Sequence, residues 1–338
     1  DETIFAILNG EIFNYKELTS ELKSKGHIFR SDSDTEVLVH LYEEYGDKMV
    51  EYIDSEMYAF VVFDTKTGDF YAARDRFGVK PFYYALDNRD KSYHFGSELK
   101  QLVQFDFITE VFDFPTGHYM SNGKLKSYYE VKISNEIVDE KEAVENLTNL
   151  VVDAVKKRVD TDLPVAVLLS GGVDSSLVME IANRSHPDVT AYILGRPGAS
   201  DYEAALRLCK DFKYKYKIVY PDVDYADEIE QVLYHMEIYE AQVLRQSFAL
   251  DILSRAIVRD GFRIALAGDA SDEIFGGYNE FVRLSNDDIN KGCELITKSL
   301  SRSHNIRLDR MSMKHTLELR APFFDTKVVD YAMKIDGS

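Results

Sequence analysis

From Leu163 onward, short apolar runs of strand length alternate with longer amphipathic stretches. Leu163–Leu169, Val189–Leu194, Tyr216–Tyr220 and Arg263–Ala267 read as strands. Helices are expected from about Leu177, from Ser200, and over Tyr225–Tyr239 and Phe248–Asp260. Successive strands joined by helices pair in parallel, because each helix carries the chain back along the sheet. The pattern predicts an α/β doubly wound parallel sheet that binds ligands at the carboxyl ends of its strands. Ser200 and Glu203 have capping-box spacing at one helix start.

The first part of the chain has a different rhythm. Tyr58–Phe63 and Phe70–Ala73 flank the polar loop Asp64–Asp69, and Gly68 marks a β-hairpin. Phe82–Ala85 and Ser92–Phe95 repeat the pattern around Asp87–Asp90, beside a strand at Ile4–Leu8 and helices near Tyr15–Ser24 and Thr35–Tyr45. Hairpins beside helices predict an α+β layered sandwich. The polar stretch Lys132–Glu140 separates the two rhythms, so the expected domains are residues 1–131 and 140–338. The second opens with an amphipathic helix carrying Val144, Leu147, Leu150, Val151, Ala154 and Val155 at helical spacing.

The 40 Lys and Arg against 59 Asp and Glu leave a net charge of −19, which argues against non-specific binding to nucleic acid or anionic membranes. No apolar run reaches the roughly 18 residues a membrane span needs. Cys209, in an expected amphipathic helix, and Cys293, in an expected polar connection, cannot build a disulfide framework for this length. A reducing, cytoplasmic location is expected. The chain opens Asp1-Glu2-Thr3, with no secretory signal.

Ser170-Gly-Gly-Val-Asp-Ser-Ser176 leaves an expected buried strand and enters a helix. Backbone N–H groups at such a junction form an anion cradle, and Gly171 and Gly172 allow close approach of a phosphate. Ser170, Ser175 and Ser176 can add hydroxyl donors. Asp174 would repel a phosphate unless a divalent cation lay between them. The alternative is a tight turn capped by Asp174. No Gly-Lys-Ser/Thr follows, so this is not a Walker loop.

This segment resembles the pyrophosphatase loop of synthetases that adenylate a carboxylate with ATP. Ala267-Gly-Asp-Ala-Ser-Asp-Glu-Ile-Phe-Gly-Gly-Tyr278 and Asp309–Asp325 are similar to segments of glutamine-hydrolysing asparagine synthetases, in the same order. Asn9-Gly-Glu-Ile-Phe-Asn-Tyr15, Ser33–Glu36, Asp75–Tyr84, Gly96–Lys100 and Phe114–Gly117 resemble the glutamine-pocket domain of class II amidotransferases, an N-terminal-nucleophile fold.

The resemblance implies that Asn9 and Gly10 form an oxyanion hole and that Glu11 and Asp34 bind the ends of glutamine. A turn at Asn9-Gly10 and a helix cap at Asp34 are the structural alternatives. It also implies that Ser170, Gly171, Gly172 and Ser175 hold phosphate oxygens, and that Leu169, Leu194, Ala267 and Gly268 contact the nucleotide. Asp174 and Asp272 would hold Mg²⁺. Glu237, Arg245, Asp272 and Glu273 would bind the acceptor carboxylate and Asp269 would be catalytic, with an Arg–Glu structural pair as the alternative for Arg245; Arg320 reads as structural.

Three features depart from the family. Its nucleophile is an N-terminal cysteine, expected here before Asp1, and its late catalytic lysine is expected beyond Ser338, not at Lys327 or Lys334. Family members that make asparagine usually read Gly-Glu-Gly-Ser-Asp-Glu where this chain reads Gly268-Asp-Ala-Ser-Asp-Glu273. The implied reaction is ATP-dependent transfer of glutamine-derived ammonia, through an internal passage, to an adenylated carboxylate, aspartate first. A related amidotransferase or β-lactam-type synthetase on another carboxylate, or a non-catalytic nucleotide-binding regulator, are the alternatives. The partners are then small molecules (glutamine, ATP, aspartate or another carboxylate), with a homodimer as the assembly allowed.

Overall fold

A computed structural model describes Thr3–Asp222 and Asp224–Gly337, apart from the side chain of Asp287. Asp1 and Ser338, the outer limits of the two expected domains, lie outside the described residues. The chain divides into two compact units, Asp1–Glu130 and Val131–Ser338.

The first unit runs β1 (Ile4–Gly10), α1 (Tyr15–Ser24), α2 (Asp34–Tyr45), β2 (Tyr58–Asp64), β3 (Phe70–Arg74), β4 (Tyr83–Leu86), β5 (Tyr93–Gly96), α3 (Leu99–Val103), β6 (Val111–Asp113), β7 (His118–Ser121) and β8 (Lys124–Ser127). Two antiparallel sheets form, ordered β1-β2-β3-β7-β8 and β5-β4-β6. Successive strand residues face opposite sides, and this period assembles the layers. Phe60, Val62, Tyr71 and Ala73 pack on Leu18, Leu22, Val37, Leu38 and Leu41 of α1 and α2. Their neighbours Ala59, Val61, Phe70 and Ala72 pack instead with Phe82 and with Tyr84, Tyr93 and Phe95 of the second sheet. Each large apolar side chain so buried contributes roughly 1.5–3 kcal/mol. The result is an α+β layered sandwich.

Asp75 knots the loop after β3. Its buried carboxylate accepts from the N–H groups of Phe77 (3.1 Å), Val79 (2.9 Å) and Lys80 (3.0 Å). Burial nevertheless pushes its pKa from 3.8 up to about 6. Near pH 4 and below, the folded state keeps the neutral acid it prefers. As pH rises through 6 the buried group must ionise, and stability is lost. Unfolding by urea at a series of pH values should show wild type losing about 3 kcal/mol relative to Asp75→Asn between pH 4 and 7. A pH-independent difference would contradict this.

The second unit runs α4 (Glu140–Arg158), β9 (Val165–Leu168), α5 (Val173–Ser185), β10 (Val189–Leu194), α6 (Ser200–Phe212), β11 (Tyr216–Val219), α7 (Tyr225–Met236), α8 (Ala241–Arg259), β12 (Ile264–Leu266), α9 (Ser271–Phe275), α10 (Asn286–Ser299), α11 (His304–Met313), β13 (Glu318–Arg320) and α12 (Thr326–Ala332). The sheet order is β11-β10-β9-β12-β13, with every pair parallel. From β9 the chain moves outward to β10 and β11, then returns to place β12 on the other side of β9. Strand order therefore reverses between β9 and β12, and a crevice opens at their carboxyl ends.

Several local expectations are corrected. α5 starts at Val173 rather than Leu177, directly after Gly172, so its first turn belongs to the glycine loop. α8 starts at Ala241 rather than near Phe248. The capping box at α6 does not form: Glu203 accepts from the Gly198 N–H at 3.1 Å, and the Ser200 hydroxyl donates to Asp201. Val144 is exposed on α4, and Ala143 turns inward in its place. Cys293 is buried within α10, not in a polar connection. Strand β13 went unread because Glu318-Leu-Arg320 carries charges at both ends.

Candidate functional site

In the second unit, the loops after β9 and β12 meet at the crevice. Gly171 has φ +84°, and a Cβ there would lie 2.5 Å from the Ala205 backbone nitrogen, so only glycine fits against α6. Gly268 approaches α5 as closely: its Cβ would lie 2.8 Å from the Ser175 nitrogen. Ser175 is buried, and its Oγ accepts from the Ser170 N–H at 3.2 Å and lies 2.9 Å from Ser170 Oγ. Because α5 begins at Val173, its first-turn N–H groups open onto this loop, a ready anion site.

The Ser271 hydroxyl donates to Asp174 Oδ1 at 2.7 Å and ties the two loops together. Leu169, Ser170, Asp174, Ser175 and Leu194 line one side of a cavity of about 420 Å³, and Ala267, Gly268, Asp269 and Asp272 line the other. Gly171 and Gly172 belong to the same loop but do not line the cavity. Ala270 takes the left-handed conformation (φ 82°) ahead of α9, a strain of about 1–2 kcal/mol for a residue with a Cβ.

Carboxylates crowd this cavity. Burial raises the pKa of Asp272, and the charges of Asp174, Glu273 and Asp269 raise it further. Burial also raises Asp269, opposed by Arg307. Hard oxygen donors converging in one cleft and resisting joint ionisation are a donor set that fits a divalent cation.

One side of α11 answers the remaining acids. His304 Nε2 lies 3.3 Å from Glu273, Arg307 donates to Asp269 at 2.9 Å, and Arg310 donates to Glu237 at 2.8 Å. Glu273 also accepts from the Tyr278 hydroxyl. The sequence reading missed His304, Arg307 and Arg310: their three-residue spacing puts them on one face of α11, but nothing local names the acids they meet. Arg245 is exposed on α8, and the Arg–Glu pair of this region is Glu237 with Arg310. Arg320 is buried and bonds Glu318 (2.6 Å) and the Arg158 carbonyl (2.7 Å). Arg310→Met would leave Glu237 buried beside an apolar chain. Denaturant unfolding should show a loss of about 3 kcal/mol, partly restored by adding Glu237→Gln. An unchanged midpoint would show the pair to be inert.

The first unit gathers a second constellation at the end of β1. Gly10 has φ +136° and pairs with Tyr58, and a Cβ there would lie 2.0 Å from the Met57 carbonyl oxygen. The Glu11 N–H donates to that carbonyl at 2.8 Å, and the Ser55 hydroxyl donates to the Glu11 carbonyl at 2.6 Å. Asn9 Nδ2 donates to Ser97 Oγ at 2.9 Å, which orients its amide. Ser33 caps α2 through the Thr35 N–H (3.2 Å), so Asp34 is not the cap. Asp34 Oδ2 instead accepts from the Ile12 N–H at 3.0 Å. The Ile12–Asp34 bond thus ties the segment that follows Asn9, Gly10 and Glu11 to the start of α2. Cys209 and Cys293 both lie in the second unit, buried and free, and burial pushes the Cys209 thiol up to about 11. Neither is an activated nucleophile.

Among the described residues no helix is long and apolar enough to cross a membrane. Residues 1–143 match the family described as glutamine amidotransferase domain, and residues 146–288 and 284–338 match asparagine synthase. The chain is similar to glutamine-hydrolysing asparagine synthetase 3 of Arabidopsis thaliana, with 36% identity over 352 residues, 99% of this chain and 60% of the relative. The asparagine synthetase of Zea mays is 35% identical, covering 99% and 59%. A probable asparagine synthetase of Dictyostelium discoideum is 33% identical, covering 100% and 64%. The chain spans about 60% of the length of such relatives. With a glutamine amidotransferase region followed by the loops and parallel sheet described above, the chain belongs to the asparagine synthase family.

Proposed function

We propose that this chain carries the glutamine pocket and the adenylating cleft of a glutamine-hydrolysing asparagine synthetase. In the first unit, the Asn9 amide and the Gly10 backbone stabilise the oxyanion formed when the glutamine side chain is attacked. Glu11 and Asp34 hold the polar ends of glutamine. The attacking thiolate is assigned to no cysteine of this chain. Ammonia released there is consumed in the second unit.

In the second unit the acceptor carboxylate, read as the aspartate side chain, attacks the α-phosphate of ATP. Ser170, Ser175 and the first-turn N–H groups of α5 hold the departing pyrophosphate, with Gly171 and Gly172 allowing close approach. Leu169, Leu194, Ala267 and Gly268 contact the nucleotide. Mg²⁺, when bound by Asp174 and Asp272, neutralises charge on the leaving group. Asp269, Glu273 and Glu237, held by α11, face the acceptor. Ammonia displaces AMP and gives the amide. The buried free thiols suit a reducing compartment, the cytoplasm.

One observation carries this reading: the 2.7 Å bond from Ser271 to Asp174 draws the glycine-serine loop and the acidic loop around one cavity. Mg-ATP-dependent pyrophosphate exchange, run with aspartate and a panel of other carboxylates, tests it. Exchange with aspartate supports the proposal. Exchange only with another carboxylate changes the acceptor, and none with any acid leaves a nucleotide-binding regulator.

A further inference from the structure

In the first unit, away from the glutamine pocket, two histidines meet nitrogen to nitrogen. His27 Nδ1 and His40 Nδ1 lie 3.2 Å apart. Glu43 Oε2 completes a triangle, 3.1 Å from His40 Nδ1 and 3.5 Å from His27 Nδ1. Hydrogen bonds serve such a triangle poorly. If one Nδ1 carries the proton, a single hydrogen must satisfy all three edges; if both do, two donors face each other. A cation serves it well. Ligands about 2.0–2.1 Å from a tetrahedral Zn²⁺ stand roughly 3.3 Å from one another, which is the scale of all three edges.

The other ring nitrogens support the same reading. His27 Nε2 lies 3.2 Å from Glu44 Oε2, and His40 Nε2 faces Glu36 Oε1 at 3.7 Å. The Glu44 carboxylate behind His27 favours the proton on Nε2 and leaves the Nδ1 lone pair for a metal, while Glu36 adds negative charge behind His40. Glu36, His40, Glu43 and Glu44 share one face of α2, while His27 comes from the loop after α1. Phe29 packs on the His40 ring with centroids 4.3 Å apart. The two imidazoles are only 15% and 12% exposed, and with Glu43 they line a cavity of about 690 Å³.

We propose that His27, His40 and Glu43 form a Zn²⁺ site that clamps the loop after α1 onto α2. Two imidazoles and one carboxylate favour Zn²⁺ over the Mg²⁺ that suits an all-oxygen cleft. The fourth position opens to the cavity. The site shares no residue with either pocket described above and differs from both in chemistry.

Zn²⁺ alone, and Co²⁺ alone as a coloured probe, titrated into the full chain in excess Mg²⁺ test it. One ion should bind per chain, raise the thermal midpoint and, for Co²⁺, give the visible bands of a tetrahedral site. His27→Gln and His40→Gln should each remove these signals, and Glu44→Gln should weaken binding 10–100-fold. Mg-ATP-dependent pyrophosphate exchange should be unchanged in all three, and an unchanged near-ultraviolet circular dichroism spectrum of each, dominated by the tyrosines of the first unit, shows that this unit folds. The proposal is overturned if wild type binds no Zn²⁺ at micromolar concentration. It is equally overturned if the His27→Gln/His40→Gln double variant binds with unchanged affinity.

Discussion

Replacing Asp174 by asparagine is expected to lower ATP- and aspartate-dependent pyrophosphate release about 10³-fold, or about 4 kcal/mol at 1.36 kcal/mol per decade. The side chain lines the cavity beside Asp272 and Asp269, where oxygen donors must balance the charge of a departing pyrophosphate. Asparagine keeps the shape and still accepts from Ser271, so the junction at 2.7 Å survives. The stability cost is confined to a lost first-turn carboxylate on α5, about 0.3–1 kcal/mol. Rate and stability should thus separate. Equal losses in both would make Asp174 a structural cap, and an unaffected rate would remove it from the reaction.

The expected chemistry was more legible than its electrostatic support. Both loops of the second unit announce themselves locally, since glycines, hydroxyls and carboxylates at a strand-to-helix junction form a compact pattern. Asp174 and Asp272 could therefore be nominated from sequence. His304, Arg307 and Arg310 could not, because their value lies in facing Glu273, Asp269 and Glu237 across the fold. A distance of 38 residues separates Arg307 from Asp269, and 73 separate Arg310 from Glu237. Arg245 illustrates the converse: it stands near Glu237 in sequence, but α8 turns it to solvent.

The fold divides along the same line. Strand alternation in Tyr58–Asp64 and Phe70–Arg74 is visible because each residue type reports the face it occupies. Helix starts were less visible. α5 was expected from Leu177 because Val173-Asp-Ser-Ser176 carries no apolar period, yet those residues close the first turn around the glycine loop. Cys293 read as a polar connection because its neighbours on α10 are polar, while the thiol itself is buried.

In a protein that supplies the attacking thiolate to the proposed glutamine pocket, Gly10→Ala is expected to lower glutamine-dependent synthesis by at least about 100-fold while sparing synthesis from added ammonia. A Cβ at this position would lie 2.0 Å from the Met57 carbonyl oxygen and 2.8 Å from its carbon, both backbone atoms of the paired strand region. Neither can yield without opening the ladder between β1 and β2, and φ +136° is strained for alanine whatever the space. The end of β1 must shift, and the Glu11 N–H bond to Met57 goes with it. Asn9 then leaves its bond to Ser97, and the Ile12 N–H its bond to Asp34. The strain and overlap together should cost about 3 kcal/mol. Free ammonia bypasses the first unit, so the second should turn over within about two-fold of wild type. Loss of both activities would show that the damage spreads beyond the first unit. Retention of glutamine-dependent synthesis would remove Gly10 from the oxyanion site.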